Sequence, residues 1–194
     1  MNGPTQLTLA RIALIPFIIV FSYLGDPYIS WGSLIIFVAA SITDALDGYL
    51  ARKHKLVTTF GKLLDPLADK LLVLTAFMVL LEREFIPAWL AVLMIGREMG
   101  LTGLRAFLAA EGIVASASQL GRLKMITQSI GICFLFVGHI SIFHTIGTYT
   151  IYAALLFAYL SGYYYLREFW SELGDKILAE QNRTAEPSHD QPNE

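Results

Sequence analysis

TDALDGYLARKHKLVTTFGKLLDPLADK, residues 43–70, sets four aspartates in one fixed frame: Asp44 and Asp47, then Gly48, Ala51, Arg52 and Gly61, and finally Asp65 and Asp69. The frame reads D-x2-D-G-x2-A-R-x8-G-x3-D-x3-D, in a chain whose remainder is mostly apolar. An ionised carboxylate at the centre of a membrane helix costs roughly 2.5–3.5 kcal/mol on insertion scales. Four at helical spacing therefore need a reason. Asp44, Asp47 and Ala51 share one helix face, and so do Asp65 and Asp69 at i,i+4. Two helices joined by a short basic loop can aim both carboxylate pairs at one place. Oxygen donors on rigid helices suit a hard divalent cation, Mg2+ or Mn2+. No His or Cys stands at matching spacing, which argues against zinc; His54, His139, His144 and His189 are scattered. Helix caps and solvated loop charges would account for Asp65 before Pro66, but they leave Asp44 and Asp47 without partners inside an apolar helix.

The neighbours in the frame have their own tasks. Gly48 and Ala51 are small on the carboxylate face and leave space for a bulky ligand. Arg52 offers a planar fork for phosphate oxygens. Gly61 opens the next helix. Pro66 sits in that helix's first turn, where it costs no hydrogen bond, or kinks the helix if it begins earlier.

Outward from the frame, the composition is that of a membrane protein. Of 194 residues, 55% are hydrophobic and only 15% charged, against about 25% charged in a soluble domain. Apolar stretches near the length of a membrane span fall at Leu7–Leu24, Trp31–Leu50, Leu63–Leu81, Ile86–Ala110, Met125–Phe143 and Ile146–Phe169. An all-α bundle of six transmembrane helices over residues 1–175 is expected, followed by a polar cytoplasmic tail over 176–194 that is too hydrophilic to build a core. Six spans leave no room for a second soluble domain, and no cleavable signal peptide is evident. Arg52, Lys53, Lys55 and Lys62 in one connection, with Arg122 and Lys124 in another, place both termini and the aspartate frame on the cytoplasmic side by the positive-inside rule. No basic stripe with interleaved aromatics speaks for nucleic acid.

Trp31, Trp89, Trp170 and Tyr163–Tyr165 lie near span ends and read as an interfacial belt. Cys133, alone in an apolar run, packs. Gly96 and Gly100, with Gly103 beyond, read as a close helix–helix contact.

The frame resembles the signature of the CDP-alcohol phosphotransferase family at every fixed position. Residues 43–53 and 59–70 are similar to its phosphatidylglycerophosphate-forming branch, as are Gly96-Arg97-Glu98, Gly103-Leu104-Arg105 and Leu120-Gly121-Arg122-Leu123-Lys124. Residues 4–11 match in part, with Thr5 where members commonly carry asparagine. Members are six-helix membrane enzymes, usually dimeric, that move a phosphatidyl group from CDP-diacylglycerol or a related CDP-alcohol to a second alcohol and release CMP. The resemblance implies that Asp44, Asp47, Asp65 and Asp69 hold two divalent ions on the diphosphate. Gly48, Ala51, Arg52 and Gly61 then shape the CDP site, with Thr8 as a further nucleotide contact, and Asp69 acts as general base. The implied setting is a bacterial inner membrane and the implied assembly a homodimer. The implied acceptor, sn-glycerol 3-phosphate, needs cations: Arg105 and Lys124 are the expected phosphate ligands. Arg97 is a third, unless Glu98 neutralises it. Arg11, near the start of the first span, is expected to snorkel to lipid headgroups, the alternative being a reach to the nucleotide.

Three rivals share some of these features. Family members using serine, inositol phosphate or phosphatidylglycerol have the same frame. An ion or proton transporter predicts acids spread over several spans, and an intramembrane prenyltransferase predicts acidic motifs on two separate helix pairs.

Overall fold

A computed structural model describes residues 3–22, 24, 31–43, 59–110 and 119–185. These residues are helical apart from short connections: α1 (Gly3–Ser22), α2 (Trp31–Thr43), α3 (Thr59–Glu82), α4 (Ala88–Ala110), α5 (Gln119–Phe136) and α6 (Ser141–Ala185). The all-α expectation holds. One stretch, Ser141–Ser171 of α6, is both long and apolar enough to cross a membrane; the apolar parts of α1 and α2 are shorter, while α3 and α4 carry charges within their lengths.

Each helix contributes to one core. Ile18, Phe37, Phe77, Leu90, Leu135 and Ile151, one from each in order, are all buried in the same apolar cluster. Phe37 meets Phe136 edge to face at 5.7 Å, a geometry the aromatic quadrupole favours. A smaller cluster of Leu108, Tyr165 and Phe169 joins the ends of α4 and α6. α1 packs on α3, α5 on α6, and α3 also touches α4 and α5.

The closest seam is the α5–α6 hairpin. A Cβ added at Gly131 would lie 2.7 Å from Ile151 Cδ1, and one at Gly147 would lie 2.8 Å from Leu135 Cγ. Each helix thus offers a glycine to a branched side chain of its antiparallel neighbour. By contrast, nothing stands within 4 Å of a Cβ at Gly96, Gly100 or Gly103. The expected close helix contact at that G-x3-G stretch is therefore not made within the described residues; glycine spacing alone does not say which face meets a neighbour.

α3 ends in a Schellman arrangement. Phe85 N donates to Leu80 O and Glu84 N to Leu81 O, both at 3.0 Å, with Glu84 at φ 58° where glycine usually sits. Phe85 packs back on the core, and Pro87 O then accepts from Leu90 N at 3.1 Å to start α4. Pro66 falls inside α3, whose helix begins at Thr59. It therefore interrupts a hydrogen-bonded ladder rather than opening one. α6 runs past the boundary expected at residue 175 and stays helical to Ala185.

Candidate active site

Asp44, Asp47, Gly48, Ala51 and Arg52 lie outside the described residues, and Gly61 and Asp65 are described by their α3 backbone only. The last aspartate of the frame, Asp69, is described. One turn beyond Asp65 on α3, it lines a cavity of about 530 Å³ between α3, α4 and α5. The wall is rich in cations: Lys70 from α3, Arg97 and Arg105 from α4, and Arg122 and Lys124 from α5, against the two carboxylates Asp69 and Glu98. Arg97, Arg105 and Lys124, the residues expected from sequence to bind an acceptor phosphate, are thus brought to one space.

Glu98 organises this wall. Its Oε2 accepts from Lys124 Nζ on α5 and from Arg97 Nη1 at 3.3 Å. Arg97 reaches further, donating through Nε to Ala158 O at 2.9 Å and through Nη2 to Ser161 Oγ on α6. Neighbouring residues of α4 therefore brace two different helices, Arg97 gripping α6 and Glu98 holding α5. Arg97 is thus paired with Glu98 and with α6, and it also borders the cavity. Breaking such a part-buried, hydrogen-bonded group leaves its partner unsatisfied.

Lys70, beside Asp69, donates to Thr102 Oγ1 at 2.6 Å, and Thr102 in turn donates to Glu98 O at 2.8 Å. Arg105 is exposed, its guanidinium 5.2 Å from the Tyr165 ring centroid, a cation–π contact that holds the arginine's stem without occupying its donors. Lys124 is 6% exposed. Gln128 follows one turn later on the same face of α5 and also lines the cavity.

Two residues of α1 carry expectations. Thr8 is buried. Arg11, expected to snorkel, is 1% exposed and lies inside the fold rather than on a lipid-facing surface. The sequence does not single out Lys70, Thr102, Gln128 or Ser161 as site residues. Lys70 reads as an ordinary helix cation, a neutral polar side chain costs less than an ion inside an apolar helix, and only the helix neighbours reveal what each one meets.

Carboxylate oxygens are the donors a hard divalent cation takes. Among the described residues no group of three His, Cys, Asp or Glu is assembled; Asp44 and Asp47 lie outside them. The remaining pair shares an α3 face, with Asp69 on the cavity wall opposite an excess of cations.

Residues 1–160 match the sequence model of CDP-alcohol phosphatidyltransferases. The chain is 38% identical to the CDP-diacylglycerol–glycerol-3-phosphate 3-phosphatidyltransferase of Bacillus subtilis (strain 168), over 89% of this chain and 97% of that protein. It is 38% identical to the protein of that name from Rickettsia bellii, over 86% of this chain and 94% of the relative. The Wigglesworthia glossinidia brevipalpis protein of the same name is 36% identical, over 89% and 97%.

Proposed function

Because this chain belongs to the CDP-alcohol phosphatidyltransferase family, we propose that it transfers the phosphatidyl group of CDP-diacylglycerol to sn-glycerol 3-phosphate, giving phosphatidylglycerophosphate and CMP. The observation that carries this reading is the α3–α4–α5 cavity, where Asp69 shares a wall with five basic side chains. A surplus of positive charge suits a dianionic acceptor over zwitterionic serine, and the relatives' names point to the same acceptor.

Arg105 and Lys124 hold the acceptor phosphate, and Glu98 fixes where the Lys124 ammonium stands. Arg97 adds positive potential, although two of its donor nitrogens are committed to α6. The primary hydroxyl attacks the phosphorus that bears diacylglycerol. A new P–O bond forms there, the P–O bond to CMP breaks, and the hydroxyl proton passes to a carboxylate. Asp69, the last aspartate of the frame and the general base that the family resemblance implies, lines the cavity and takes the proton. Asp44, Asp47, Asp65 and Asp69 would hold two divalent cations, Mg2+ or Mn2+, which when bound neutralise the diphosphate and its leaving oxygen. Gly48, Ala51, Arg52 and Gly61 shape the CDP site.

The protein works in a bacterial inner membrane as a six-helix homodimer, with both termini and the cavity on the cytoplasmic side. Exposed large apolar side chains on every described helix support a lipid environment, among them Phe17, Ile35, Leu67, Val92, Met125 and Leu156. The test is CMP release from CDP-diacylglycerol in proteoliposomes, with glycerol 3-phosphate, serine, inositol phosphate and phosphatidylglycerol supplied in parallel. Glycerol 3-phosphate is expected to be the productive acceptor. Release with a different one reassigns the acceptor, and metal-dependent ion flux without CMP selects the transporter.

A further inference from the structure

Among the polar side chains of the cavity wall that the phosphate chemistry leaves unused is Gln128. Gln128 is 4% exposed, and its Oε1 is buried with no hydrogen-bond partner among the described residues. It lines the same cavity as Asp69, Arg105 and Lys124 and follows Lys124 by four residues on one face of α5, about 6 Å along the helix. Buried amide oxygens are almost always paired, so an unpaired one on a residue that lines a ligand cavity marks where a ligand brings a donor. Ser33 Oγ and Tyr165 OH are buried without partners as well, but neither lines this space.

A ligand that satisfies both residues carries a phosphate for the Lys124 ammonium and, within a few bonds of it, an O–H for the Gln128 carbonyl. We infer that Gln128 reads the non-reacting secondary hydroxyl of the acceptor: its Oε1 accepts from the O–H on the middle carbon while the phosphate sits at Lys124 and Arg105 and the primary hydroxyl faces Asp69. This rests on the acceptor being glycerol 3-phosphate. It makes Gln128 a specificity-determining residue, because an acceptor without that hydroxyl leaves a buried polar group unpaired, the kind of mismatch that sites reject strongly.

The test compares two acceptors that differ only at that position. In the full-length protein in proteoliposomes with CDP-diacylglycerol, kcat/KM for CMP release is measured with glycerol 3-phosphate and with 3-hydroxypropyl phosphate, which keeps the phosphate and the primary hydroxyl. The wild type is expected to prefer glycerol 3-phosphate by about 10- to 100-fold. Gln128→Met, similar in length and lacking the amide, is expected to lose most of that preference: the rate with glycerol 3-phosphate falls by a similar factor, and that with the analogue stays within about twofold. Equal losses on both acceptors, or a wild type that does not distinguish them, overturn the inference. Should Gln128→Met fail to fold, Gln128→Asn, which withdraws the amide by one methylene, carries the same comparison with the same outcomes. CMP release with serine, inositol phosphate or phosphatidylglycerol but with neither glycerol derivative overturns the acceptor reading itself and this inference with it, a pattern distinct from any failure at Gln128 alone.

Discussion

Two carboxylates border one cavity. Glu98 is bound to Lys124 and Arg97; Asp69 stands on α3 as the last member of the aspartate frame. Asp69→Asn keeps the shape and removes the proton acceptor. It is expected to cut kcat by about 10²- to 10⁴-fold, the usual contribution of a positioned base, while CDP-diacylglycerol binding measured by equilibrium titration persists. A near-normal rate would move the base elsewhere. Arg105 offers a cleaner probe of acceptor binding than Lys124, whose removal would also strand Glu98. Losing one charge-assisted hydrogen bond, about 1.5–3 kcal/mol, predicts that Arg105→Ala raises the KM for glycerol 3-phosphate by about 10- to 100-fold and leaves the KM for the lipid nearly unchanged; the reverse pattern removes Arg105 from this role. At this scale the sequence was readable where burial is expensive. Asp69, Arg97, Arg105 and Lys124 announce themselves because an ionised group in an apolar helix needs a partner or a cavity, whereas Gln128 and Thr102, neutral and so less costly to bury than an ion, give no such signal.

Helices are legible for a related reason: a long apolar run between polar breaks has few ways to bury itself other than as a helix. α1, α3 and α4 lie within a few residues of the stretches read from hydropathy. The fifth was misjudged in register, expected at Met125–Phe143 and found as Gln119–Phe136. Hydropathy could not see that its first, polar turns face a charged cavity, nor that Gly138 makes the turn, with its N donating to Leu135 O at 3.0 Å. The glycines divide in the same way. Gly147→Ala drives a methyl into Leu135 and its backbone, with Leu135 N only 3.1 Å from the new Cβ, and is expected to destabilise the fold by about 1–3 kcal/mol. Gly100→Ala meets open space and is expected to be neutral or to stabilise by up to about 1 kcal/mol through helix propensity. Thermal unfolding of the two variants in one detergent measures the contrast, and equal shifts would contradict the packing described for the α5–α6 seam.

For the molecule as a whole, apolar side chains face outward on every described helix while Arg11, Lys124, Gln128 and Ser161 are buried. Composition alone implied the first half of that arrangement. The second depends on which helices are neighbours, which no stretch of sequence states. The core itself is apolar and draws on six helices, so its stability does not hang on a bound ion, whereas the proposed chemistry does. Chelation of divalent ions is therefore expected to abolish CMP release, and Mg2+ or Mn2+ to restore it, with helix content by circular dichroism unchanged throughout. Synthesis that survives chelation would refute the metal assignment.

Arg97 reaching α6 through Ala158 and Ser161, with Glu98 beside it anchoring Lys124 on α5, has a bearing on affinity. A wall whose long side chains are already locked by the fold has little rotamer freedom left to surrender when a ligand arrives. The entropy of arranging those groups is spent once, during folding, and each successive turnover starts from a receptor that is already preorganised.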